Sequence, residues 1–141
     1  MRVFLDTNVI MDTLIIGRPL HEVSQRIIDQ PSEGEIRFSI SALSIADLVY
    51  SSRKHFTQDY LMSKVAFFQR NWRILELSAY NIYEAVKSDC PDFEDALQIS
   101  IAESDCDVIV TNNTKDFKGY TALEVLTPQE FLDKISCPDP A

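Results

Sequence analysis

The sequence predicts an α/β fold: a three-layer α/β/α sandwich around a mainly parallel central sheet. Short apolar segments typical of buried strands alternate with longer segments in which apolar residues recur at helical spacing. Strands that alternate with helices form parallel sheets whose two faces are both covered by helices. The 141 residues include only 3 glycines and 6 prolines, and no linker or repeat divides them. We therefore expect one domain over residues 1–135 and a short C-terminal tail over residues 136–141.

Five strands are predicted from short segments rich in alternating, β-branched or aromatic residues. The alternation of Ile36, Phe38 and Ile40 is the clearest case. The expected strands are residues 3–5, 35–40, 73–77, 108–110 and 123–126, the last of them at an edge of the sheet.

Seven helices are predicted from apolar residues that recur every three or four positions. Ser41 supplies an N-cap for one of them. Pro128 opens the last helix, at a position where its missing N–H has no cost. The expected helices are residues 9–16, 21–30, 42–50, 58–70, 79–87, 92–104 and 129–135.

The overall charge restricts the function. The chain carries 22 acidic and 13 basic residues, which gives a net charge of −9. An acidic chain does not bind nucleic acid through its bulk charge, so contact with phosphates needs a local basic patch or bound cations. This argues against a simple DNA-binding module and leaves metal-dependent chemistry open.

The expected location is the cytoplasm. No segment approaches the ~20 apolar residues that cross a bilayer. Asp6 follows the start of the chain too closely for a signal peptide. Cys90, Cys106 and Cys137 are an odd number without metal-ligand spacing, which favours free thiols in a reducing compartment.

Asp6 is the first residue that indicates a functional site. It ends the apolar run Val3-Phe4-Leu5 and precedes Thr7 and Asn8, residue types that favour turns and caps. In open α/β sheets, ligands bind in a crevice at the carboxyl ends of strands. Helix capping explains the same position, so Asp6 alone does not establish a site.

Further acids occupy comparable junctions. Asp47 lies inside an otherwise apolar predicted helix, where aspartate is a poor helix former. Asp92 and Asp95 lie in the first turn of another helix and share one face, whereas Glu94 is expected to point away into solvent. Exposure of Asp47 and helix capping by the other two are the ordinary explanations.

The segment after the fourth strand repeats the arrangement at Asp6. Thr111 and Asn112 end that strand, and Asp116 follows in what could be a simple polar turn. Two strand ends and two helices can thus bring carboxylates to one crevice, where they raise one another's pKa unless a cation neutralises them. Carboxylates without clustered histidine or cysteine favour hard cations, Mg²⁺ or Mn²⁺.

Four segments in this order resemble the motifs of the PIN-domain family, which includes many VapC-like ribonuclease toxins of toxin–antitoxin pairs. The resemblance covers nearly the whole chain, to about Leu132. The segments are Leu5-Asp6-Thr7-Asn8-Val9, Ser41-Ala42-Leu43-Ser44-Ile45-Ala46-Asp47-Leu48, Asp92-Phe93-Glu94-Asp95-Ala96-Leu97-Gln98, and Thr111-Asn112-Asn113 with Asp116-Phe117. Two positions depart from the family pattern. Asp47 replaces the usual glutamate, and Asn112 replaces a frequent arginine.

The resemblance implies metal-dependent hydrolysis of RNA phosphodiester bonds. The catalytic acids that it implies are Asp6, Asp47, Asp95 and Asp116, of which Asp6, Asp95 and Asp116 hold the metal. One or two Mg²⁺ or Mn²⁺ ions would activate a water and stabilise charge on the phosphate and the leaving oxygen. Asp47, one methylene shorter than glutamate, would reach the metal through water.

Supporting residues and partners follow from the same resemblance. Asn8, Thr111 and Asn113 would orient ligands or water, while Asp92 would either support a metal ligand or only cap its helix. The basic residues expected to contact RNA are Arg18, Lys115 and Lys118. The family also implies an antitoxin segment that fills the acidic groove, and a homodimer. The helices around residues 43–49 and 61–68 could supply the dimer face, although a core role explains the same residues equally well.

Two other functions stay open. A haloacid-dehalogenase-like phosphatase would use Asp6 as its nucleophile, but it needs a second aspartate where this chain has Asn8. A catalytically weak PIN-like domain that binds nucleic acid or protein would explain Asp47 and Asn112. The retained Asp6, Asp95 and Asp116 count against that alternative.

Overall fold

The computed structural model describes residues 1–32 and 34–136 of the chain. Over these residues five strands form one sheet: β1 (Arg2–Leu5), β2 (Arg37–Ser41), β3 (Arg73–Leu75), β4 (Val108–Val110) and β5 (Glu124–Leu126). Their order is β3-β2-β1-β4-β5, and all neighbours pair in parallel. Glu33 and residues 137–141, with Cys137 and nearly all of the predicted tail, lie outside the described residues.

Seven α-helices occur in the same two ranges. They are α1 (Thr7–Leu14), α2 (His21–Ile28), α3 (Ala42–Ser52), α4 (Gln58–Asn71), α5 (Ala79–Lys87), α6 (Phe93–Glu103) and α7 (Pro128–Ser136). Every predicted strand and helix is confirmed, with ends that shift by one or two residues. The longest helix, α4, has 14 residues, and none in the described part of the chain is long and apolar enough to span a membrane.

Two hydrophobic cores cover the two faces of the sheet. Val3 and Leu5 of β1 pack on one face with residues of α1, α2, α3, α4 and α7. Phe4 points to the opposite face and packs with residues of α5 and α6. Because alternate side chains of a strand point to opposite faces, an all-apolar strand such as β1 must be covered on both. The predicted three-layer α/β fold is confirmed.

The order in which the strands are added to the sheet reverses between β1 and β4. The first three strands extend to one side of this point and the last two to the other. Leu5 pairs with Val110, and the Asp6 N–H donates to the Val110 carbonyl at 3.0 Å. A switch point of this kind opens a crevice at the carboxyl ends of the two strands. Asp6 and Thr111 both lie at this crevice.

Candidate active site

Asp6 is fixed at the crevice by two hydrogen bonds. It is the N-cap of α1, and its Oδ1 accepts from the Thr7 N–H at 2.8 Å. Its Oδ2 accepts from the Thr111 hydroxyl at 2.8 Å. Burial raises the pKa of Asp6, the two hydrogen bonds oppose that shift, and the charge of Asp116 adds to it. Asp6 therefore caps α1 and also contributes a carboxylate to the crevice.

Three carboxylates, those of Asp6, Asp92 and Asp116, lie within electrostatic reach of Asp95. Asp92 is the N-cap of α6 and accepts from the Asp95 N–H at 2.9 Å. Asp95 is partly buried, and Asp116 is exposed in a short 3-10 turn, Thr114–Asp116, that was expected only as a turn. Burial, followed by the charges of Asp92, Asp6 and Asp116, raises the pKa of Asp95 to about 6. These four acids thus share one electrostatic neighbourhood.

Asp47 has a different partner. Its carboxyl group on α3 meets that of Glu94 on α6. The hydrogen bond with Asp47, partial burial and the charges of Asp47, Asp92 and Asp95 raise the pKa of Glu94 to about 7. Glu94 is exposed, as expected, and its contact with Asp47 also makes it part of the acidic surface. No sequence pattern relates these two positions, because their contact joins two separate helices.

The carboxylates suit a cation chemically but do not yet surround one. In residues 1–32 and 34–136, no three histidine, cysteine, aspartate or glutamate side chains lie close enough together to hold a metal ion. Within the same residues, none of the ion pairs formed by lysine or arginine involves Asp6, Asp92, Asp95 or Asp116. The neighbouring charges raise the pKa of Asp6 and of Asp95, and uncompensated carboxylates of this kind form a donor set that hard divalent cations neutralise.

The predicted supporting residues lie around Asp6. Thr111 is fully buried, and its hydroxyl both donates to Asp6 and accepts from the Asn113 N–H at 3.1 Å. Asn8 Oδ1 accepts from the Asn112 N–H at 3.3 Å, which joins the first turn of α1 to the loop after β4. The Asn113 side chain itself is exposed. Thr111 is thus the supporting residue that contacts the Asp6 carboxylate directly.

The predicted basic residues differ in their surroundings. Arg18 Nε lies 2.6 Å from Oδ1 of Asp12, a buried acid on α1 that sequence reasoning missed. Asn112 Nδ2 donates to the other oxygen of Asp12 at 2.6 Å. The charge of Arg18 is therefore matched inside the protein. Lys115 and Lys118 are exposed on either side of Asp116.

Fold and site together define an α/β domain with a carboxylate-rich crevice at its switch point. The family model of the PIN domain matches residues 2–115, which is most of the chain. The chain belongs to the PIN-domain family. The matched region contains Asp6, Asp47, Asp95 and Thr111, whereas Asp116 lies one residue beyond it.

Solved structures of VapBC and VapC proteins share this fold. VapBC2 from Rickettsia felis, bound to a fragment of promoter DNA, is 21% identical with a TM-score of 0.65, covering 90% of this chain and 98% of that one. VapC20 from Mycobacterium tuberculosis, a toxin that cleaves the sarcin–ricin loop, is 14% identical with a TM-score of 0.66 and coverages of 86% and 98%. VapBC-1 from nontypeable Haemophilus influenzae is 16% identical with a TM-score of 0.66 and coverages of 92% and 99%. No curated protein matches the sequence significantly.

Proposed function

We propose that this protein is a metal-dependent endoribonuclease and the toxin of a toxin–antitoxin pair. The observation that carries the proposal is the grouping of Asp6, Asp92, Asp95 and Asp116 at the switch-point crevice without a matched basic residue among the described ones. Membership of the PIN-domain family supports the nuclease activity. The shared fold of the toxin structures supports the assignment to a toxin–antitoxin pair.

In this proposal Asp6, Asp95 and Asp116 hold Mg²⁺ or Mn²⁺. The ion would lower the pKa of a bound water and stabilise negative charge on the scissile phosphate. Thr111 keeps Asp6 oriented through its hydroxyl, a role that the 2.8 Å hydrogen bond supports. Asp47 acts beside these ligands together with Glu94, on the side of the crevice formed by α3 and α6.

The charge distribution restricts how RNA can be bound. With a net charge of −9, RNA must be held locally, and the exposed Lys115 and Lys118 are placed beside Asp116 to do so. The Nε of Arg18 contacts Asp12, and 40% of the Arg18 side chain is exposed. Only the outer part of its guanidinium can therefore contact RNA. We further propose a homodimer, a cytoplasmic location and an antitoxin that covers the acidic crevice.

The proposal is tested by RNA cleavage with purified, antitoxin-free protein. A mixed RNA substrate is incubated with Mg²⁺, Mn²⁺ or EDTA, and wild type is compared with Asp95→Asn. We expect EDTA to abolish cleavage and Asp95→Asn to lower its rate by at least ~100-fold, since even outer partners of metal ligands contribute 10–100-fold. Asp133→Asn makes the same charge change on the exposed face of α7 and should cleave like wild type.

Two results would contradict the proposal. Cleavage that persists in Asp95→Asn would indicate a contaminating nuclease or a different site. A folded wild type that cuts no RNA with either metal would favour the alternative of a PIN-like binding module.

A further inference from the structure

A buried polar network lies behind the carboxylates and has no part in the reaction as proposed. The Ser41 hydroxyl donates to Gln98 Oε1 at 2.7 Å, and Gln98 Nε2 donates to Ser44 Oγ at 2.9 Å. The two serine hydroxyls lie 3.0 Å apart, and the Thr7 hydroxyl donates to Ser44 at 2.7 Å. Ser41 and Ser44 are fully buried, and Gln98 is 2% exposed. We call these four residues the Gln98 network.

The network joins the three helices that position three of the four candidate catalytic acids, Asp6, Asp47 and Asp95. Thr7 follows Asp6 directly and donates its N–H to that carboxylate. Gln98 lies one helical turn after Asp95 on α6, and Ser44 lies one turn before Asp47 on α3. The hydrogen bonds between Thr7, Ser44 and Gln98 therefore fix the starts of α1, α3 and α6 relative to one another.

Stability alone accounts for only part of this network. Ser41 caps α3, since its hydroxyl accepts from the Ser44 N–H at 2.9 Å. Gln98 has no such local role, because its two hydrogen bonds both go to side chains at the start of α3. Replacing buried polar partners by apolar groups of the same shape is often neutral for stability. A buried amide between helices instead specifies the position of those helices relative to one another.

We propose that Gln98 and Thr7 are positioning residues that aim Asp6 and Asp95 at the divalent cation. The inference rests on the proposed function, because it concerns the same site. Neither residue touches substrate or metal. Their side chains bond Ser41 and Ser44 and not the acids themselves, so they act one step behind the direct hydrogen-bond partners of metal ligands. Loss of a direct partner typically lowers metal affinity by about 10–100-fold.

The test measures Mn²⁺ binding by titration calorimetry in the absence of RNA. RNA cleavage and thermal unfolding are measured on the same variants. Gln98→Met keeps the length of the side chain and removes both hydrogen bonds. Thr7→Val keeps the shape and removes the hydroxyl, whereas Thr7→Ser restores a hydroxyl. Leu132→Ala is the control for stability, because Leu132 is buried on α7 in the core on the opposite face of the sheet from α6.

We expect Gln98→Met and Thr7→Val to bind Mn²⁺ about 10-fold more weakly than wild type, the lower end of the range for direct partners of metal ligands. Thr7→Ser should bind like wild type. Leu132→Ala should unfold at a lower temperature and yet keep the wild-type affinity. If Gln98→Met does not fold, Thr7→Val decides, since Thr7 is only partly buried and contributes one hydrogen bond.

Three results separate this inference from the proposed function. Wild-type affinity in Gln98→Met and Thr7→Val, or an equal loss in Leu132→Ala, overturns the positioning role and leaves the nuclease intact. A wild type that binds Mn²⁺ and cuts no RNA overturns the nuclease, while weaker Mn²⁺ binding in the two variants still supports the positioning role. A wild type that binds no Mn²⁺ overturns both.

Discussion

Asp12 illustrates how one buried charge depends on its neighbours. It is 2% exposed, and its carboxylate is matched by Arg18 Nε and Asn112 Nδ2, each at 2.6 Å. Removing one partner of a buried ion pair costs about 3–5 kcal/mol. Because the Arg18 side chain is 40% exposed, water replaces part of the lost interaction. We expect Arg18→Met to lower the free energy of unfolding by about 1–3 kcal/mol, measured by urea denaturation.

Arg70→Met is the matched control for Arg18→Met. Arg70 is exposed in the last turn of α4, where a substitution should change stability by no more than about 0.5 kcal/mol. Arg18→Met should also be less damaging in an Asp12→Asn background, because the pair then no longer carries a buried charge. Equal losses from Arg18→Met in both backgrounds would show that the ion pair is not the cause.

At the same scale, the sequence predicts some site residues and not others. Asp6 and Thr111 are predictable because each follows an apolar strand, and the end of a strand defines the crevice. Glu94 and Asp12 are not, since their environment depends on residues of other segments: Asp47 for Glu94, and Asn112 for Asp12. Long-range side-chain contacts of this kind have no local signature in the sequence.

At the scale of a helix, Asp92 combines a cap with a charge. Its carboxylate accepts the Asp95 N–H at 2.9 Å, and its charge raises the pKa of Asp95. Asp92→Ala removes both and should cost about 1 kcal/mol, or about 2–4 °C in unfolding temperature for a chain of this size. Asp92→Asn keeps a capping acceptor and should unfold close to wild type.

Mn²⁺ titration of the same two variants separates the cap from the charge. We expect both to bind Mn²⁺ more weakly, because each removes a negative charge near the cation. If Asp92→Asn binds like wild type, Asp92 only caps α6. The two explanations of this residue that the sequence left open are thereby distinguished.

At the scale of the whole molecule, the fold class was predictable and the strand order was not. Hydrophobic periodicity is a local property, and it defined the strands and helices to within a residue or two. The order of strands rests on pairings such as Val3 with Val108, which lie more than a hundred residues apart. The crevice depends on that order, so the sequence indicated which acids end strands without showing that β1 and β4 are neighbours.

The clustered acids also make the stability of the whole domain depend on pH. The pKa of Asp95 is raised from 3.8 to about 6 and that of Glu94 from 4.5 to about 7, and burial raises the pKa of Asp6. A folded state with raised carboxyl pKa values binds protons more tightly than the unfolded chain. The stability from these protons is full below the ordinary values and is lost as pH rises through the raised ones. In EDTA, the unfolding temperature should therefore fall between pH 5 and pH 8.

Divalent cations should reverse this loss of stability. A cation that binds only the folded carboxylates stabilises the domain by mass action, and it competes with the protons that hold them neutral at low pH. Millimolar Mg²⁺ should therefore raise the unfolding temperature more at pH 8 than at pH 5, as scanning calorimetry would measure. Asp95→Asn, which lacks one of the titrating groups, should show a flatter pH profile and a smaller gain. An unfolding temperature that rises from pH 5 to pH 8 in EDTA would contradict the electrostatic picture of the crevice.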